Sequence, residues 1–331
     1  MAVQKIFSLA FLTQLVFLAL ALGLTEANYG LRLGYYRKTC PDAELIVHRT
    51  TYQFISMVPT LAAPLLRMHF HDCFVRGCDG SILLNPTKST QTEKLAIPNL
   101  SLRGYQVIDA AKSALEKKCP GVVSCADILA LVTRDAVAMI NGPYWDVHTG
   151  RRDGRVSLAT EALSNLPAPF ANITQLRQSF ASKGLSAKDL VVLSGAHTIG
   201  IGHCFGFLNR LYNFTGKVDS DPSMDPKYVA QLKKKCKPEL DLKTFVEMDP
   251  GSFRTFDDHY YTIVAKRRGL FQSDAALLDD YETRAYVNSH VKKPYVLSFG
   301  QDFAASMVKM GAIEVLTGKA GEIRKQCGFV N

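Results

Sequence analysis

Past residue 27 the sequence has no apolar run long enough to cross a membrane, so further helical spans are excluded. It has no internal repeat, no low-complexity tract and no linker rich in Pro and Ser, which argues against a solenoid or a pair of tethered domains. An acidic excess is also missing. The net charge of +9 points instead to polyanionic partners. The clusters Lys233 to Lys235 and Lys266 to Arg268 read as solvated helix faces.

The first 27 residues are a different kind of sequence. Lys5 precedes a mostly apolar stretch, Ile6 to Leu24, and Thr25-Glu26-Ala27 supplies small residues for cleavage. Residues 1–27 therefore read as a signal peptide, and 28–331 as a single mature domain. That mature part holds all eight cysteines, at 40, 73, 78, 119, 125, 204, 236 and 327. An even count in a secreted chain reads as four disulfides, but on the order of a hundred pairings are open and only Cys73 with Cys78 looks local. Secretion excludes nucleic acid and makes an acidic polysaccharide matrix the better polyanion. The sequons at Asn172 and Asn213 suit glycosylation, Asn85 is blocked by Pro86, and Asn99 begins a third.

Helix signals dominate the mature chain. Ser124 with Asp127, and Ser186 with Asp189, form capping-box patterns ahead of apolar runs. Asn172 and Asp225-Pro226 also start runs, while Gly184 and Gly269 read as helix stops. The exception is Tyr144 to Gly154, where Trp145, Val147 and Thr149 alternate between glycine breaks and a short β-hairpin is expected. The fold class is thus all-α with a minor hairpin.

The stretch RMHFHDCFVRGC, residues 67 to 78, concentrates reactive side chains. A helix starting near Pro59-Thr60 leaves Pro64 in its first turn, where its missing N–H is harmless. Arg67 and His71 then share one face, four residues apart. The Cys73-x4-Cys78 spacing meets Ser81 where an iron-sulfur run needs cysteine, and neither CxxCH nor HExxH occurs. A cationic arginine beside His71 opposes a dication but suits a base paired with an anion stabiliser. The second signal is LSGAHTIG, 193 to 200, where small residues flank His197 as though leaving room for a flat group.

With VSCADILAL (123 to 131) and GRRDG (150 to 154), these stretches make the chain resemble the secretory plant haem peroxidases of class III, from about Cys40 to Cys327. The resemblance implies one non-covalent haem b between distal and proximal helical halves, with His197 on the iron and Asp274 bonded to the other ring nitrogen. It implies His71 as the distal base, Arg67 as its cationic partner, Asn99 orienting His71 and therefore free of sugar, and Phe70 walling the pocket. His69 and His203 receive no chemistry.

Two Ca²⁺ sites are implied too: Asp72, Val75, Gly77, Asp79 and Ser81, with Glu93 through water, and then Thr198, Asp249, Ser252, Thr255 and Asp257. The implied disulfides are Cys40–Cys119, Cys73–Cys78, Cys125–Cys327 and Cys204–Cys236. Pro167, with Phe170 beside it, matches the edge where phenolic donors dock. The expected activity is reduction of hydrogen peroxide with one-electron oxidation of phenols by a monomer. The expected roles are lignin or suberin formation, wall cross-linking, peroxide removal and oxidative-stress response. The sequence stops four residues after Cys327 without an apolar extension, which favours apoplast or cell wall over vacuole.

Overall fold

The computed structural model describes residues 30–239, 243–292 and 298–331; the expected signal peptide lies outside them. Among the described residues there are thirteen α-helices and one two-stranded sheet. In chain order the helices are α1 (Ala43–Met57), α2 (Ala62–Val75), α3 (Tyr105–Lys118), α4 (Cys125–Met139), α5 (Ala159–Asn165), α6 (Ile173–Ser182), α7 (Ala187–Ser194), α8 (Leu208–Tyr212), α9 (Pro226–Lys235), α10 (His259–Ala265), α11 (Gln272–Ala276), α12 (Tyr281–Lys292) and α13 (Phe299–Met310). No described helix is long and apolar enough to cross a membrane.

The centre of the first half is α4, buried from Cys125 to Val137 and packed against α1, α2 and α3. Its start is a partial capping box. Ser124 accepts the Asp127 amide, but the Asp127 carboxylate turns away to the Tyr36 hydroxyl, the Gly150 amide and Arg151. At α7 the box closes both ways between Ser186 and Asp189, and Asn172 with Gln175 does the same for α6. Asp225 caps α9, with Pro226 at its first position. Gly184 follows α6 with φ of +73°, a stop of the expected kind.

Two local expectations are corrected. The 144 to 154 segment forms no hairpin; Thr149 bridges Arg32, Arg152 bridges Leu316 and Asp153 bridges Glu322. Its alternation reported burial correctly, since Trp145, Val147 and Thr149 all point inward, but its partners come from the two chain ends. The sheet lies elsewhere, with β1 (Ile201–His203) antiparallel to β2 (Phe245–Glu247). Gly269 is not the stop after α10 either. The left-handed residue there is Arg267, and Gly269 is small because a Cβ would stand 2.6 Å from that of Asp274.

Four disulfides join Cys40–Cys119, Cys73–Cys78, Cys125–Cys327 and Cys204–Cys236. These are the pairs implied by the resemblance. The third spans 202 residues and ties the chain end to the first turn of α4, and closing so long a loop stabilises by roughly 5 kcal/mol.

Candidate active site

The 3-10 turn Pro59–Leu61 leads into α2, leaving Pro64 in the first turn as expected. Arg67 Nε then donates to His71 Nε2 at 3.1 Å, and His71 Nδ1 donates to Asn99 Oδ1 at 2.5 Å. The Asn99 amide cannot flip, because its Nδ2 donates to the Glu93 carbonyl at 2.7 Å. Both ring nitrogens are thereby assigned, with the proton on Nδ1 and the lone pair on Nε2. Burial, and after it the charge of Arg67, pushes the His71 imidazole well below its usual range, so the ring is neutral.

Arg67 also donates to Ser101 Oγ at 2.8 Å and to the Pro98 carbonyl. Burial pulls its guanidinium down to about 10, yet the residue is exposed to solvent. A side chain surrounded by protein but open on one side lines a recess. Phe70, half-buried, packs on Phe74 beside it.

His197 sits on the 3-10 turn Gly195–Thr198 that continues α7. Its Nδ1 donates to Asp274 Oδ1 at 2.7 Å. Asp274 is held by two further donors, the Tyr260 hydroxyl at 2.8 Å and the Phe271 amide at 2.9 Å. Burial would raise the Asp274 carboxyl, but His197 and these donors hold it below the usual carboxylate range. The smallness of Gly195 serves packing, since a Cβ would stand 2.6 Å from Phe299 and from the Tyr261 hydroxyl.

A family model described as Peroxidase matches residues 47–293. Peroxidase 1 of Arabidopsis thaliana is 58% identical over 332 residues, covering 100% of both chains. Peroxidase 27 of the same plant is 62% identical over 315 residues, 95% of this chain and 97% of the relative. Peroxidase 1 of Oryza sativa subsp. japonica is 56% identical over 300 residues, 90% and 92% of the two. The chain belongs to the class III plant haem peroxidases.

The residues of this peroxidase fit haem. With its proton on Nδ1, His197 presents an Nε2 lone pair that has no partner among the described residues, on a side chain 37% exposed beside a carboxylate 1% exposed. That is the donor an axial iron ligand needs, with the carboxylate bond that raises its basicity.

Beyond α2 lies a second group of oxygens. Asp72 accepts the Gly80 and Ile82 amides, Asp79 accepts the Ser81 amide, and Glu93 accepts the Ser157 hydroxyl. All three acids are buried, and none has an ion-pair partner within 4.0 Å among the described residues. Burial raises all three carboxyls, the charge of Asp79 adds to the rise at Asp72, and Glu93 reaches about 8. Ser81 Oγ and Glu93 Oε2 are buried without a partner. Val75 ends α2, and Gly77 follows with φ of +89°.

Near His197 the Thr198 and Ser252 hydroxyls both donate to Asp257, and His259 Nδ1 donates to Asp249 Oδ1. Asp249 Oδ2 is buried and unpartnered, while Thr255 is exposed. Among the described residues one set of His, Cys or acid ligand atoms lies mutually within 4.8 Å, namely His69, Cys73 and Cys78. Its sulfurs form a disulfide, so it is no thiolate site.

Pro167 and its neighbours are half-buried, Phe170 is 64% exposed, and the Ser273 amide donates to the Pro169 carbonyl, tying this segment to α11. His203 packs between Phe205 and Phe245. Tyr260, Ser101 and His259 were missed in the sequence. Only His259 carried a signal there, two residues after Asp257.

Proposed function

We propose that this peroxidase reduces hydrogen peroxide with His71 as its acid-base group and oxidises phenolic donors in two one-electron steps. The observation that carries it is the His71 ring held between the Asn99 carbonyl oxygen and the Arg67 Nε–H. Haem, when bound through His197, supplies a redox-active iron. His71 Nε2 takes a proton from one peroxide oxygen and returns it to the other, which converts a poor leaving group into water. Peroxide must first displace the Arg67 Nε–H from that lone pair, which leaves the guanidinium beside the developing negative charge. Asn99 keeps the proton on Nδ1, and Asp274 keeps the His197 ring oriented through its own Nδ1–H.

Two Ca²⁺ ions complete the reading. Asp72, Asp79 and Ser81 side chains, the Val75 and Gly77 carbonyls and Glu93 through water would hold one; Thr198, Asp249, Ser252, Thr255 and Asp257 would hold the other. Orphaned oxygens at Ser81 and Asp249 support both, because hard oxygen donors buried without a hydrogen-bond partner suit that ion. Pro167 would border the edge where small phenols dock. The exposed Asn172 and Asn213 would carry sugar, whereas Asn99, 2% exposed, would not.

Residues 1–27 would be removed, leaving 28–331 as one monomeric domain in the apoplast or cell wall. The charge of +9 supports retention on anionic wall polysaccharide. Lignin or suberin formation, wall cross-linking, peroxide removal and stress response are the roles this chemistry serves. The test is the absorption spectrum and peroxide kinetics of His71→Ala. A retained Soret band with peroxide reactivity reduced by about a thousand-fold is expected; unchanged kinetics would refute the role.

A further inference from the structure

A line of phenol rings leaves the proximal histidine and ends near the surface. The His197 ring centroid is 5.9 Å from that of Tyr260, Tyr260 is 5.4 Å from Tyr261, and Tyr261 is 5.4 Å from Tyr286. Tyr260 and Tyr261 are buried and adjacent on α10, while Tyr286 is half-buried on α12. Rings this close exchange electrons readily, because tunnelling decays exponentially with the gap and these gaps are short.

The three phenols differ in where a proton can go. A tyrosine that loses an electron becomes a strong acid and persists as a neutral radical only if a base accepts its proton. The Tyr261 hydroxyl meets the Val191 carbonyl, which is not a base. Tyr260 meets Asp274, already occupied by His197. Tyr286 donates to Asp302 Oδ2 at 2.9 Å, and Asp302 reaches the exposed Lys188 at 2.7 Å. The single tryptophan, Trp145, is also reached from Tyr261, but through Phe299 and Phe303, whose rings are far harder to oxidise.

We propose that Tyr286 is a second oxidation site, fed from the haem side through Tyr260 and Tyr261, for phenols borne on polymers too large to enter the recess at Arg67. The proposal rests on haem standing beside His197. In the first half-step one electron passes from Tyr286 through Tyr261 and Tyr260 to the peroxide-oxidised enzyme, and the phenolic proton moves to Asp302. In the second, a surface phenol gives one electron to Tyr286 and its own O–H proton to solvent, while Asp302 returns the stored proton. The donor leaves as a phenoxyl radical, and the enzyme is one electron more reduced.

The experiment treats the haem-loaded protein with one equivalent of hydrogen peroxide and a nitroso spin trap, without donor, and maps the adduct by mass spectrometry. The adduct is expected on Tyr286, lost in Tyr286→Phe and diminished in Asp302→Asn. Oxidation of a phenol tethered to dextran should fall about ten-fold in Tyr286→Phe, with guaiacol turnover unchanged. An adduct confined to Trp145 or to Tyr281, 81% exposed on the same helix, overturns the proposal. So does an unchanged rate with tethered phenol. A wild type that turns over guaiacol but does neither of these things sinks this site alone, whereas failure with guaiacol sinks the haem reading beneath it.

Discussion

The two central histidines are the same side chain given opposite partners. His71 donates to an amide oxygen and lies next to a cation; His197 donates to a carboxylate that three donors hold charged. An amide cannot stabilise an imidazolium by charge, so His71 stays a neutral base with a lone pair ready for a proton. A carboxylate pushes electron density through the ring, so His197 is the better electron donor to a metal. The setting of each ring, more than its identity, decides its chemistry.

Exchanging the partners is the most direct way to break the contrast. Asn99→Asp should raise the His71 pKa, fill its lone pair with a proton, and slow peroxide reaction by about a hundred-fold in stopped-flow traces. An unchanged rate would mean that the amide partner does not matter. Asp274→Asn makes the opposite exchange. It should slow the same reaction by about ten-fold and raise the ferric/ferrous midpoint potential, which potentiometry reads directly.

The oxygens behind each histidine sharpen the contrast through stability. Glu93, raised to about 8 by burial, holds a proton in the metal-free fold that the unfolded chain releases above about 4.5. Its burial therefore becomes more costly as pH rises toward 8, unless a cation is bound. Chelation should lower the melting temperature by about 3 °C at pH 8 and by less at pH 5. A loss that is equal at both pH values, or larger at pH 5, would separate Glu93 from the ion.

His69 makes a metal-independent contrast: burial, and then the charge of Arg151, pushes it down to about 3. Between about 6.5 and 3 the unfolded chain binds a proton there that the folded chain refuses, so stability falls as pH falls through that window. His69→Gln should flatten this part of the pH–stability curve in urea titrations. An unaltered slope would assign acid sensitivity to other groups.

Much of the distal side was legible because it is local. Arg67 and His71 are one turn apart, and helix periodicity alone puts them together. The proximal side is not local: 77 residues separate His197 from Asp274, so only likeness to a family could join them before the structure did. Tyr260 escaped both routes, since a buried tyrosine in an apolar run looks like core. The hairpin failed for the same reason in reverse. Alternation in 144 to 154 records which side chains go inside, and nothing in it records that the bridging partners are residues 32, 316 and 322.

Arg324 gives the disposition of the chain a consequence in time. It is fully buried, donates to the Gly80 carbonyl and to that of Cys327, and lies against Asp153. Gly80 is in the turn beside Asp79, 244 residues earlier, so that turn waits for the synthesis of all the chain between before its neighbour arrives. Cys125 waits as long for Cys327. A nascent chain can form its central helices before residue 324 is made, but the turn at Gly80 gains its buried arginine, and Cys125 its partner, only once those late residues have left the ribosome.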